Sequence, residues 1–166
     1  MTWLYGALVF VAAQRLGELV WAGRNTRRLL RQGAVEADGG GYPFLVVLHA
    51  GWLGAMALLL PAAATPRWPL LGLFGLIQLL RLWVIASLGR FWTTRILTLP
   101  GAPLVTTGPY RWLRHPNYLI VVAEIALLPL AFGAVAIAAV FSAANLLLLG
   151  RRIRIEERVL TPRRPG

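Results

Sequence analysis

Two short stretches of this chain carry side chains that could do chemistry, and both sit beside long apolar runs. Residues 108–118 read GPYRWLRHPNY, and residues 150–160 read GRRIRIEERVL. In the first, Pro109 and Pro116 each fix φ near −65° and lack an N–H, so each suits the opening turn of a helix and not its middle. The pattern predicts a short helical turn from Pro109 and a long helix from Pro116. The free N–H groups of that helix would point back toward Arg111, Arg114 and His115, a combination suited to an anion. A basic loop at a membrane surface carries similar arginines, so this stretch alone leaves both interpretations open. In the second stretch, Glu156 and Glu157 could hold a cation or hydroxyl groups, or could form a solvated face with neighbouring arginines.

The elements that must position these groups are membrane elements. The chain has 166 residues, one domain by length, of which 58% are hydrophobic and 14% charged, with mean hydropathy +0.66. All 17 basic residues are arginine against 6 acidic ones, for a formal charge of +11. A soluble nucleic-acid binder would not carry apolar runs of about twenty residues, the length that spans a bilayer, so nucleic acid is not the expected partner. Positive-inside topology accounts for the charge. The complete preference for arginine over lysine points to a GC-rich, bacterial genome. With no cysteine and 2 histidines, disulfides, thiolate nucleophiles and zinc–thiolate sites are excluded, and no metal is expected. The opening MTWLYGALVF has no basic n-region, which argues against a cleaved signal peptide.

Five helical segments follow from the hydropathy. The first runs from residue 1 to about 21 and carries Gln14, Arg15 and Glu18, the last two on one face. Residues 22–41 read as an amphipathic extension and then a flexible, glycine-rich connection. The second run, from Pro43 to about Leu60, contains His49; the third, from Leu70 to about Leu88, contains Gln78 and Arg81. A polar connection from Gly89 to His115 follows, in which Arg95 suits a headgroup anchor or a substrate ligand. Residues 117–149 would make a helix of about 50 Å, too long for a hydrocarbon core of about 30 Å, so a hairpin bent near Pro129 to Gly133 is expected, its arms short. A separate basic helix ending near Thr161 and Pro162 closes the chain.

Arginine counting orients these spans. Fourteen arginines fall after the first and third runs and in the tail, and only Arg67 falls in a loop on the other side, so the N-terminus is expected outside and the C-terminus in the cytoplasm. The polar residues within the runs (Arg15, Glu18, His49, Arg81, Glu124 and Asn145) then all lie in the cytoplasmic half of the membrane. Intramembrane charges normally face a bundle interior or wet cavity, which predicts a polar pocket open to the cytoplasm. Arg15 with Glu18, and Arg81 with Glu124, could instead be structural pairs that fix helix packing.

No phosphate-cradling glycine loop, G-x-S-x-G elbow or H-E-x-x-H motif is present. What remains is R-H-P-x-Y at 114–118, a hydrophobic hairpin, and R-x-x-x-E-E at 152–157. Together with LGRFWTTR and the Val-Thr-Thr before Gly108, this resembles the isoprenylcysteine carboxyl methyltransferase family and its bacterial lipid-methylating relatives, over roughly Leu88 to Leu160. The resemblance implies an integral membrane enzyme that takes S-adenosylmethionine from the cytoplasm and methylates a lipophilic acceptor. It implies that Tyr110, His115, Pro116, Asn117 and Tyr118 line the cofactor site, that Ala102, Pro103, Leu104 and Val105 contribute backbone, that Glu156 touches the cofactor, and that Arg152 faces the substrate. Where the family carries His or Thr near the start of the 102–105 segment, this chain reads Ala-Pro-Leu-Val.

Residue chemistry agrees with that implication. Glu156 or Glu157 can hold an ammonium or ribose hydroxyls, His115 and the helix start can hold a carboxylate, and Tyr110, Tyr118 or Trp112 can pack on adenine or face a sulfonium. A carboxylate acceptor needs no general base. A phenol or enol does, and Glu124, His49 or His115 are the candidates. A transporter or scaffold with a cytoplasmic anion-binding pocket is the competing class.

Overall fold

The computed structural model describes residues 2–38 and 40–161. Pro162, the expected helix stop, lies outside the described residues, as do Gly39, Arg163 and Arg164. Five helices make the body: α1 (Trp3–Arg31), α2 (Tyr42–Leu59), α3 (Trp68–Leu88), α4 (Pro116–Ala131) and α5 (Val135–Leu160). Three of them, α2, α3 and α5, are long and apolar enough to cross a membrane; α4 is apolar but shorter. α4 lies between α3 and α5, α2 packs on α5, and α1 touches α2.

Helix starts and the hairpin bend follow local chemistry. Prolines stand at the first turns of α2, α3 and α4, where a missing N–H costs nothing. Pro129 lies inside the last turn of α4, and Gly133 takes φ +75° just before α5, so the bend falls where the sequence places it. A Cβ at Gly108 (φ +58°) would come 2.2 Å from Ser87 Oγ. Glycine there lets the predicted 3₁₀ turn, Gly108–Arg111, lie against α3.

The amphipathic extension continues the first run, with α1 unbroken to Arg31. Two expectations need correction. The basic tail is no separate helix: α5 carries on from its apolar part through Glu156 and Glu157, since the stretch holds no proline and its weakest helix former, Gly150, costs only about 1 kcal/mol. Nor is the connection after α1 merely flexible. Val35–Glu36 (β1) pairs antiparallel with Leu97–Thr98 (β2), Val35 opposite Thr98, so the chain is not wholly helical.

Along the bundle the interior changes character. At one end Leu4, Leu8, Trp52, Met56, Phe74, Ile125 and Leu128 form a dry core. Helical spacing of three and four keeps each on the inner face of its helix, while Val47, Leu58, Leu59 and Leu147 stay on the outside. One or two turns further on, the same inner faces carry Glu18, Gln78, Arg81 and Glu124 instead. Beyond that charged layer the bundle opens into a cavity.

Candidate active site

The charged layer closes on itself. Arg81 donates from Nε and Nη2 to the two oxygens of Glu18, at 2.6 and 2.5 Å, and from Nη1 to Glu124 Oε2 at 3.2 Å. Arg15 bridges the same two carboxylates, at 2.9 Å to Glu18 and 2.5 Å to Glu124, and Gln78 donates to the other Glu124 oxygen at 2.9 Å. The two pairs expected from the sequence are therefore one network across α1, α3 and α4. Glu124 is 1% exposed, both its oxygens are engaged, and it is not on the cavity wall.

The cavity beside this layer has a volume of about 790 Å³, within the roughly 300–1,000 Å³ of small-molecule sites. α1 and α2 supply one wall, with Arg15, Leu16, Val46 and His49. The connection, α4 and α5 supply the other, with Pro103, Leu104, Val105, Tyr110, Arg114, His115, Asn117, Tyr118, Arg152 and Glu156. A second, apolar cavity of about 470 Å³ lies between α4 and α5 and shares Leu113, Arg114, His115, Tyr118 and Leu149 with the first.

Around His115 the two motifs meet. Tyr118 donates its O–H to Glu156 Oε2 at 2.5 Å, and the His115 ring stacks on Tyr118 with centroids 5.4 Å apart. His115 Nε2 lies 2.6 Å from Glu157 Oε1 and its Nδ1 3.7 Å from Glu156 Oε2. The continuous α5 makes this possible: Leu149, Arg152 and Glu156 recur every three or four residues along one face. Burial, with the Glu156 carboxylate adding to it, pushes the Tyr110 phenol above its ordinary range, so Tyr110 remains an O–H donor at neutral pH.

Arg152 is 6% exposed. Its Nη2 donates to the Thr94 carbonyl at 3.0 Å, Nη1 lies 3.7 Å from Asp38 Oδ2, and neither Nη1 nor Nε has a hydrogen-bond partner among the described residues. Asn117 Oδ1 is buried and equally unpartnered. Buried polar atoms are seldom left unpartnered, and these two side chains also belong to the cavity wall.

Of the sequence-predicted residues, Pro103, Leu104, Val105, Tyr110, His115, Asn117, Tyr118, Glu156, Arg152 and His49 share the cavity wall. Ala102, Pro116, Glu157 and Glu124 do not. Ala102 turns the backbone toward Leu99, Pro116 opens α4, and Glu157 stands behind His115. Asn145 is fully buried on α5, away from the cavity.

Sequence reasoning missed the residues that lock the connections. Asp38, 3% exposed, accepts from Gly41 N at 3.1 Å and pairs with Arg151 Nη1 at 3.0 Å. Asn25 donates to the carbonyls of Gly89 and Trp92 at 3.0 and 2.9 Å. Asn25 had a usable signal, seven residues beyond Glu18 on the buried stripe of α1. Asp38 had none.

The family model for isoprenylcysteine carboxyl methyltransferases matches residues 70–162, the segment that supplies α3, α4, α5 and the connection. Over nearly its whole length the chain is also similar to the uncharacterized protein YpbQ of Bacillus subtilis (strain 168), at 39% identity across 166 residues and 96% of each chain. No solved structure matches it. With the match spanning more than half its residues, the chain belongs to the isoprenylcysteine carboxyl methyltransferase family, a family of membrane methyltransferases.

Proposed function

We propose that this protein transfers a methyl group from S-adenosylmethionine to an oxygen of a lipophilic acceptor, a carboxylate or a phenol or enol, that enters from the surrounding membrane lipids. The observation that carries this is the meeting of His115, Tyr118 and Glu156 with a buried, half-unsatisfied Arg152 on one cavity. Arginine counting supports five spans with the N-terminus outside and the C-terminus in the cytoplasm, which opens the site to a soluble cofactor.

The residues present fit that cofactor. Glu156 and Asn117 Oδ1 offer acceptors for an ammonium or ribose hydroxyls, Arg114 and His115 suit a carboxylate, and the faces of Tyr110 and Tyr118 suit adenine. The 103–105 segment contributes cavity wall. When bound, S-adenosylmethionine supplies an electrophilic methyl group on a sulfonium.

The chain's own groups do the rest by orientation. Glu156 fixes the Tyr118 hydroxyl, Glu157 fixes the His115 ring, and the stacked pair forms a rigid plate. Arg152 directs its spare N–H donors at an acceptor oxygen. Glu124, saturated by two guanidinium groups and an amide, takes a positioning role and not that of a base. Alignment and exclusion of water supply the acceleration such a displacement needs.

Titrating the purified protein with S-adenosylhomocysteine tests this. Thermal stabilisation by the ligand is expected, and Glu156→Ala and His115→Ala should abolish it. No stabilisation at millimolar ligand would overturn the proposal and favour a non-enzymatic anion pocket.

A further inference from the structure

The wall contributed by α1 lies outside the family-matched segment, as does that of α2, and it carries one group the site has not used. His49 sits about two turns into α2 on the cavity wall. Its Nδ1 is 2.8 Å from the carbonyl oxygen of Leu45, one turn earlier. A carbonyl can only accept, so Nδ1 carries the ring proton, and in the neutral imidazole the lone pair is on Nε2. Among the described residues no hydrogen bond occupies Nε2. Trp52 lies edge-on to the ring at 6.5 Å, and the tether to Leu45 fixes the ring's tilt, so His49 presents one basic nitrogen in a set direction.

Its surroundings define what that nitrogen could meet. Arg15 and Arg81 lie within electrostatic reach of His49, and both line the same cavity with Glu18. Their charges are balanced by Glu18 and Glu124, yet Arg15 Nε has no hydrogen-bond partner among the described residues. Leu16, Leu19, Val46 and Leu53 make the rest of this wall apolar. A neutral imidazole offers a carboxylate nothing at Nε2, where two lone pairs would face each other. A weakly acidic hydroxyl, by contrast, donates to Nε2.

We infer that the α1–α2 wall is the acceptor subsite, that it takes an amphiphile bearing a phenolic or enolic hydroxyl, and that His49 Nε2 is the base that removes the hydroxyl proton. This rests on the methyltransferase function proposed above. In the step, the acceptor O–H bond breaks and its proton passes to Nε2. The freed pair on oxygen forms the O–CH3 bond, the pair of the breaking C–S bond stays on sulfur, and His49 later releases the proton to water.

The test uses the full-length protein in detergent with 2-dodecyl-4-nitrophenol, whose colour reports its ionisation. In the presence of S-adenosylhomocysteine at neutral pH, the wild type should bind the probe largely as the phenolate. His49→Asn keeps a donor for the Leu45 carbonyl but lacks the basic nitrogen, and His49→Gln places an amide near the Nε2 position. Both should bind S-adenosylhomocysteine as the wild type does, bind the probe mainly as the neutral phenol, and lose roughly 10²–10⁴-fold in methylation rate on an alkylphenol, the range for general-base catalysis. Ionisation of the probe undiminished in both variants, or no probe binding by wild type that binds S-adenosylhomocysteine, overturns the inference and leaves the cofactor proposal standing. Failure of wild type to bind S-adenosylhomocysteine overturns both.

Discussion

The protein holds two clusters of ionisable groups a few helical turns apart, and they are built on opposite rules. In the layer of Arg15, Glu18, Gln78, Arg81 and Glu124, each carboxylate oxygen meets a donor, and Arg81 spends all three of its nitrogens on carboxylates. In the cluster of His115, Asn117, Tyr118, Arg152 and Glu156, the groups are held by one or two contacts and keep capacity in reserve. The saturated carboxylates tie three helices together, although Arg15, Glu18 and Arg81 also touch the cavity wall. The second cluster lines the same cavity from the α4 and α5 side. Degree of satisfaction, more than burial or access to the cavity, distinguishes the two clusters.

The largest effect should come from opening the saturated layer. Glu124→Ala leaves Arg15 and Arg81 with one carboxylate between them, and breaking a buried pair in this way costs about 3–5 kcal/mol. The variant should accumulate poorly or unfold at markedly lower denaturant or temperature, with Glu124→Gln intermediate. Whatever fraction folds should bind S-adenosylhomocysteine with unchanged affinity. A fully stable Glu124→Ala protein that has lost only activity would break the comparison and restore Glu124 to the chemistry.

At the unsaturated cluster the order reverses. Arg152→Met removes one hydrogen bond, to Thr94, worth about 1 kcal/mol, together with the longer 3.7 Å ion contact to Asp38 Oδ2. Asp38 keeps Arg151. The unfolding midpoint should shift by only a few degrees while methyl transfer falls by at least tenfold, the effect of losing one charge-assisted contact of about 1.4 kcal/mol or more. Comparing unfolding curves with turnover for this variant and for Glu124→Ala sharpens the contrast.

Much of this was legible in the chain because it is local. Pro109, Pro116, Pro129 and Gly133 act on their own turns, so the 3₁₀ turn, the start of α4 and the bend all fall where they stand. The cost of charge in hydrocarbon made Arg15, Glu18, Arg81 and Glu124 conspicuous, but not which would pair, because that depends on how three helices are set side by side. The continuity of α5 was hidden by a change of solvent: apolar Val135–Leu149 and basic Gly150–Leu160 look like two elements although their backbone propensities agree. β1 and β2, with two residues each, carry no periodicity to detect. Asp38 stands before glycines, a loop signature, and its burial exists only once Arg151 and Arg152 arrive from the far end of the chain.

The smallest effect is expected at Arg95, where an exposed group meets the cavity rim. Arg95 Nη1 pairs with Glu36 Oε2 at 2.9 Å and its guanidinium lies 5.5 Å from the centre of the Tyr42 ring. Its side chain is 44% exposed, so solvent screens the pair, and exposed ion pairs contribute about 0–1 kcal/mol. Backbone pairing of β1 with β2 and the Asn25 bonds to Gly89 and Trp92 hold this rim without it. Arg95→Gln should therefore leave the unfolding midpoint within a degree or two, and change KM for a lipophilic acceptor by less than about threefold, the equivalent of about 0.7 kcal/mol. Arg95 also lines the cavity, which makes the outcome informative in either direction. A KM raised tenfold or more at unchanged stability would mean that this arginine touches the acceptor, and the unsaturated cluster would then extend from α5 across the cavity to the β1–β2 ladder.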